Sequence, residues 1–220
     1  MERINPKVST WIHSRFPKKG EELKIIDLYI VMKRCEQIPQ NANKGESGSI
    51  FPYLSEEANP NYFEFDGVVF VDIDNCQNVS ETIFESFEKI CSALPNLLAM
   101  NFSYSRNLHC YFYDNEIKDN PSIYGEKALL YLCAFAAAVK KITNIDLRNI
   151  EGALDTHSKS PNQRLFLNRS EFKWNIYCTT AVISKEDVKR LKSEYFALYK
   201  ISENKRTIVE TKSIKGEGKI

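Results

Sequence analysis

The run FDGVVFVDI, from Phe65 to Ile73, constrains the fold more than any other stretch of this chain. Val, Phe and Ile crowd it, Gly67 stands near one end and Asn75 beyond the other, so it predicts a β-strand at the centre of a sheet. The residues that follow predict a helix packed on that sheet. Val79, Ile83, Phe84, Phe87, Ile90, Cys91 and Leu94 recur at helical spacing, with Asn78 and Glu81 in capping-box positions and Pro95 beyond the end. Leu97 to Tyr104 and Leu108 to Tyr113 read as a strand hairpin joined by the polar turn Ser105-Arg106-Asn107. Tyr124 to Ile142 is rich in Ala and Leu and ends in Lys140 and Lys141, which predicts a second helix.

Arg164 to Asn168 and Lys173 to Cys178 predict a further strand pair, and Ser184 with Asp187 opens a last helix striped by Val188, Leu191, Tyr195 and Phe196. Residues 21–38 suit either helix or strand, and periodicity does not separate the two. From Gln40 to Tyr62, Asn, Gly, Ser and Pro cluster as in a loop, with Ser47-Gly48-Ser49 a flexible lip over a site. The order strand, helix, hairpin, helix, strand pair, helix argues for an α+β domain with a mixed or antiparallel sheet and flanking helices.

With 220 residues, 43% of them hydrophobic, the chain can close one sizeable core, which excludes a disordered tail or a fibre. The expected organisation is one domain over residues 1–200 and a flexible charged tail or linker over 201–220. No apolar run reaches the roughly 20 residues of a bilayer span. The N-terminus lacks the apolar core and cleavage site of a secretory signal, so a soluble cytoplasmic protein without a membrane partner is expected. The six cysteines are scattered, with no zinc-ligand spacing, and read as reduced, mostly buried thiols. A formal net charge of +1 leaves any anion binding to a local patch.

Three short motifs carry the chemistry. Asp72 and Asp74 stand at i and i+2 near the end of the best strand, so the period of two points both carboxylates to one face. Two carboxylates that close repel unless a cation offsets their charge, which points to Mg²⁺ or Mn²⁺; a plain strand end with a turn at Asn75 has the same pattern. His109 opens the run HCYFY just after Ser103, Ser105, Arg106 and Asn107, groups that can donate to phosphate oxygens. In LDTHSKSPNQRLFLNRS, Asp155 precedes a turn with His157, Lys159 and Arg164. Acids that hold metals and cations that hold a triphosphate match phosphoryl or nucleotidyl transfer.

FVDIDN resembles the first motif of the archaeo-eukaryotic primase superfamily, SYSRNLHCYF its second, and LDTHSKSPNQRLFLN its third, in the family's order. The loop ending GESGSIFPYL is similar to the lead-in of primases carried by mobile elements. The resemblance implies an RRM-like primase-polymerase core in which Asp72, Asp74 and Asp155 bind two divalent ions. It implies that Ser105, Arg106 and His109 contact the nucleotide's phosphates, with Lys159 and Arg164 completing the pocket. The implied activity is template-dependent joining of NTPs or dNTPs on single-stranded DNA, in company with a helicase or accessory domain. Lys173, Trp174, Arg169 and Tyr104 are candidates for the template surface. A metal-dependent nuclease, an Asp-x-Asp glycosyltransferase and a non-catalytic nucleic-acid-binding module use overlapping residues and stand as alternatives.

Overall fold

The computed structural model describes residues 3–13, 17–154, 162–180 and 183–195. The chain divides into two compact units, Met1–Val182 and Ile183–Ile220. In the second, residues 185–195 are helical. Ser184 caps that helix as its sequence predicts: the Asp187 N–H donates to Ser184 Oγ at 3.0 Å. The expected tail over 201–220 lies outside the described residues.

The first unit starts with β1 (Lys7–Trp11) and β2 (Lys24–Asp27), followed directly by α1 (Leu28–Gln37). Residues 21–38 thus hold a strand and a helix in succession, which explains why one period fits them poorly. Next come β3 (Ser49–Phe51), β4 (Tyr53–Leu54), β5 (Glu64–Phe65), β6 (Val68–Ile73), α2 (Ser80–Glu85), α3 (Phe87–Ala93), β7 (Leu97–Phe102) and β8 (Leu108–Tyr113). The unit closes with α4 (Glu116–Asp119), α5 (Tyr124–Thr143), β9 (Leu165–Phe166) and β10 (Phe172–Trp174). Its strands form two four-stranded antiparallel sheets, ordered β2-β1-β3-β9 and β10-β7-β8-β6, and a small β4-β5 pair. This is an α+β protein with antiparallel sheets and several helices.

Several local expectations are revised. β6 ends its sheet rather than lying at the centre. Its apolar run comes from burial on both faces. On one side Phe112 of the neighbouring β8 stacks on Tyr131 of α5 at 4.8 Å. On the other, Val68 and Phe70 join Leu98, Ala99 and Tyr111, the first sheet's Val8, Ile50 and Leu165, and Leu28, Val31 and Met32 of α1 in one core. Burying a side chain such as Phe70 there contributes roughly 2–3 kcal/mol.

The helix predicted over Val79 to Leu94 is broken at Ser86, whose hydroxyl donates to the Thr82 carbonyl at 2.9 Å and competes with the helical ladder. Val79, not Asn78, holds the cap position, without a side-chain cap. Residues Arg164–Asn168 and Lys173–Cys178 do not pair with each other: β9 joins β3 while β10 joins β7. Two asparagines direct that parting. Asn168 Nδ2 donates to the Phe102 carbonyl at 3.3 Å, and Asn101 Nδ2 donates to Ser170 Oγ at 2.9 Å.

α5 spans Tyr124–Thr143 as its composition predicts and ends at Asn144, whose φ of 61° puts it in the left-handed region that stops helices. The helical stretch Pro121–Thr143 is long and apolar enough for a bilayer span, but 72% of its apolar window is buried inside the protein.

Candidate active site

Strand alternation builds the site. Val68, Phe70 and Asp72 share one face of β6, and Tyr113, Tyr111 and His109 share the same face of β8, because the register sets Phe70 opposite Tyr111 and Asp72 opposite His109. The apolar pairs feed the core between the sheets, and the polar pair closes its end. Asn101 of β7 continues the row beside His109, with Phe172 of β10 beyond it. Asn101 is held from two sides: Tyr111 Oη donates to its Oδ1 at 2.9 Å, while its Nδ2 reaches Ser170.

Asp74 stands just past the end of β6. Its backbone N–H donates to the Ala153 carbonyl at 3.1 Å, and its Oδ1 accepts from Asn107 Nδ2 at 3.3 Å. Asn75 turns the chain with a φ of 48°, and its side chain donates to the Glu151 carbonyl at 3.0 Å. Gly152 is required opposite it: φ is +75°, and a Cβ there would come within 2.6 Å of Asn75 Nδ2. The segment leading to Asp155 is thereby tied to the end of the acid-bearing strand.

His109 is 5% exposed, and burial pushes its imidazole down to about 4, with Asp74 pulling up and Lys44 pulling down. The ring is therefore neutral at pH 7 and carries one proton. Its Nε2 lies 3.7 Å from Asp72 Oδ1, too far for a hydrogen bond. Its Nδ1 is buried and has no hydrogen-bond partner among the described residues. Burial, with the charges of Asp72 and Asp74 adding to it, pushes the Cys76 thiol up to about 12, so it is no nucleophile at neutral pH.

The structure brings Asp72, Asp74 and His109 together and turns Arg106 away. Arg106, with a φ of 62°, lies over the Phe102 ring and pairs with Glu81 of α2. Ser105 is exposed in the same turn. Ser103 builds that turn, its hydroxyl accepting the Asn107 N–H at 3.1 Å. Arg164 lies 4.5 Å from the Phe166 ring centroid, and burial pushes its guanidinium down. Asp155, His157 and Lys159 lie outside the described residues.

Of the template candidates, Tyr104 is about half exposed, Lys173 lies over Phe84, and Trp174 joins a cluster with Tyr29 and Arg3. Sequence reasoning missed Asn101 and Lys44, which read as one polar residue in an apolar run and as loop, and it read Asn107 as a phosphate donor where the structure has it hold Asp74. Only the strand register reveals Asn101 as the neighbour of His109.

Among the described residues, no group of three His, Cys, Asp or Glu side chains converges as metal ligands. The two carboxylates nonetheless suit a hard cation, since Mg²⁺ commonly takes one or two carboxylates and completes its shell with water and substrate phosphate oxygens. Comparison with protein-family models, with curated proteins and with solved structures found no match.

Proposed function

We propose that the protein is a template-dependent nucleotidyltransferase of the primase-polymerase type, joining NTPs or dNTPs on single-stranded DNA. One observation carries the reading: the first two motifs, far apart in sequence, meet as the cross-strand pair Asp72 and His109, 3.7 Å apart, with the Asp74 charge pulling on the same imidazole. The alternation of strand, helix, strand pair, helix and strand that builds the acid-bearing four-stranded antiparallel sheet also supports that reading.

Asp72 and Asp74, with Asp155, would hold the Mg²⁺ or Mn²⁺ ions. Such ions supply Lewis-acid stabilisation of the attacking and leaving oxygens in an in-line displacement at the α-phosphate. The chain's own residues do the rest. Asn107 orients the Asp74 carboxylate through the 3.3 Å bond. Neutral His109 offers one N–H to a phosphate oxygen without adding charge beside the acids. Arg164, with Lys159, would neutralise the leaving pyrophosphate. Single-stranded template and a helicase or accessory domain would complete the machine.

The test is incorporation of labelled NTPs and dNTPs on primed and unprimed single-stranded templates with Mg²⁺ or Mn²⁺. Asp72→Asn is expected to lower the rate at least about 100-fold while leaving the fold intact. Wild-type protein that binds template but never extends it would refute the reading and leave a binding module. Shortening of the labelled strand would instead select a nuclease.

A further inference from the structure

α1 turns Leu28, Val31, Met32 and Cys35 into the core, which leaves Tyr29, Ile30, Lys33 and Arg34 on its outer side. At i and i+4, Tyr29 lies beside Lys33 and Ile30 beside Arg34, and Ile30 is 43% exposed. Next to this face runs β10, the end strand of its sheet. Its alternation sends Phe172 and Trp174 toward Tyr29 of α1 and Lys173 to the other side, over Phe84.

The three rings meet edge to face, with centroids 5.8 Å apart for Tyr29 and Phe172, 5.2 Å for Tyr29 and Trp174, and 6.4 Å for Phe172 and Trp174. Phe172 and Trp174 pack on the core between the sheets, yet all three rings remain half-buried. Two cations are held on them. Arg3 Cζ lies 3.8 Å from the Tyr29 centroid and 5.0 Å from that of Trp174, while Lys33 Nζ lies 5.1 Å from Phe172 and 5.9 Å from Tyr29. No carboxylate among the described residues lies within ion-pair distance of Arg3 or Arg34. Glu36 takes Lys33 at 3.0 Å in an exposed pair that water and salt weaken. Arg3, Lys33 and Arg34 thus bring local positive charge to a chain whose formal net charge is +1.

Strand register fixes where this group stands. Phe172 is paired with Asn101, Asn101 with His109, and His109 with Asp72. Phe172 therefore sits two strand spacings, about 10 Å, from His109 on the same face of the sheet.

We infer that Tyr29, Phe172 and Trp174, with Arg3, Lys33 and Arg34 around them, form a seat for single-stranded nucleic acid. Unpaired bases offer flat apolar faces to the rings while the linked phosphates meet the cations. A duplex hides its base faces, and a small anion uses the cations alone. Of the sequence's template candidates, Trp174 belongs to this group; its other members come from outside the three motifs. The inference rests on the proposed function for calling the strand a template, and not for the binding itself.

The test is fluorescence anisotropy of labelled oligodeoxythymidine, oligouridine and a duplex of equal length, titrated with the full chain at several salt concentrations, without nucleotide or divalent metal. The double variant Lys33→Ala/Arg34→Ala changes two exposed side chains and leaves the core alone. It is expected to weaken single-strand binding about tenfold and to flatten the slope of log K against log salt by about 1.4, at about 0.7 per cation lost. Tyr29→Leu keeps apolar bulk and is expected to weaken binding several-fold at an unchanged salt slope. A preference for either the thymidine or the uridine strand names the nucleic acid and supports the seat in both cases. Wild type that binds no single strand overturns it, as does equal affinity for the duplex or wild-type affinity in the double variant. Binding that behaves as expected in a protein that incorporates nothing would sink the polymerase reading alone. Strand extension by a protein whose single-strand affinity is unchanged in the double variant would sink the seat alone.

Discussion

Replacing Asn107 with alanine separates its two roles. In the folded protein its backbone closes the turn with Ser103, its Oδ1 accepts the Cys76 N–H at 3.1 Å, and its Nδ2 reaches Asp74 at 3.3 Å. Alanine keeps the backbone bonds and loses both side-chain ones. Cys76 is fully buried, so its N–H is left without an acceptor or water, at a cost of about 1–3 kcal/mol. Asp74 is only half-buried and exchanges its bond for water, which costs about 0.5 kcal/mol or less. The expected loss is therefore about 2 kcal/mol, or a fall in Tm of roughly 4–8 °C for a domain of this size. Asp74→Ala should stay within about 0.5 kcal/mol of wild type. Urea unfolding followed by circular dichroism measures both. The reasoning fails if Asn107→Ala is as stable as wild type, or if Asp74→Ala costs as much as Asn107→Ala.

Two further outcomes follow from the same structure. Gly48→Ala must move backbone, because φ is +98° and the Trp11 carbonyl oxygen blocks the new Cβ. It should cost at least about 2 kcal/mol in urea unfolding. A Gly48→Ala as stable as wild type would show that the loop is not held by that contact. Asp146 is held well below the usual carboxylate range, first by Arg148 at 2.6 Å and then by Lys140 at 2.8 Å. Its contribution is complete above the unfolded pKa of about 3.9 and is lost as pH falls from there toward the lower folded value. Wild type should lose stability more steeply than Asp146→Asn below about pH 4. Parallel urea midpoints for the two proteins across that range would refute the assignment.

The elements legible in the sequence are those whose periodicity tertiary context leaves alone. The β7–β8 hairpin and α5 could be read because their apolar runs are long and their ends carry turn or charge signals. Most of the first sheet escaped: β3 is three residues long among Gly, Ser and Pro, and β9, though read as a strand, is two residues whose partner lies far away in sequence. Strands that short give no period, and only their pairing defines them. The single helix was misread at Ser86, where a local side-chain bond overrides an unbroken apolar stripe. At the site, Asp72 and Asp74 were legible from strand alternation, and His109 from its place at a strand start. Arg106 was not: a positive φ and Glu81 draw it to the helical face, and neither is visible in SYSRNLHC. Lys44 was invisible because its neighbours are contributed by a strand more than a hundred residues later.

The terminal position of β6 also leaves an edge that another extended chain could pair with. A strand at the end of a sheet presents backbone groups that can recruit another extended chain, the usual route to runaway assembly. Here the Phe70 N–H already donates to the Tyr124 hydroxyl at 3.2 Å, and Tyr124 is itself fully buried, its ring stacked on Phe65 at 4.8 Å. Farther along, the Asp74 N–H is taken by Ala153. One phenol and one loop carbonyl thus occupy two N–H groups along the strand that carries the acids. Crowded copies cannot zip together through those two N–H groups.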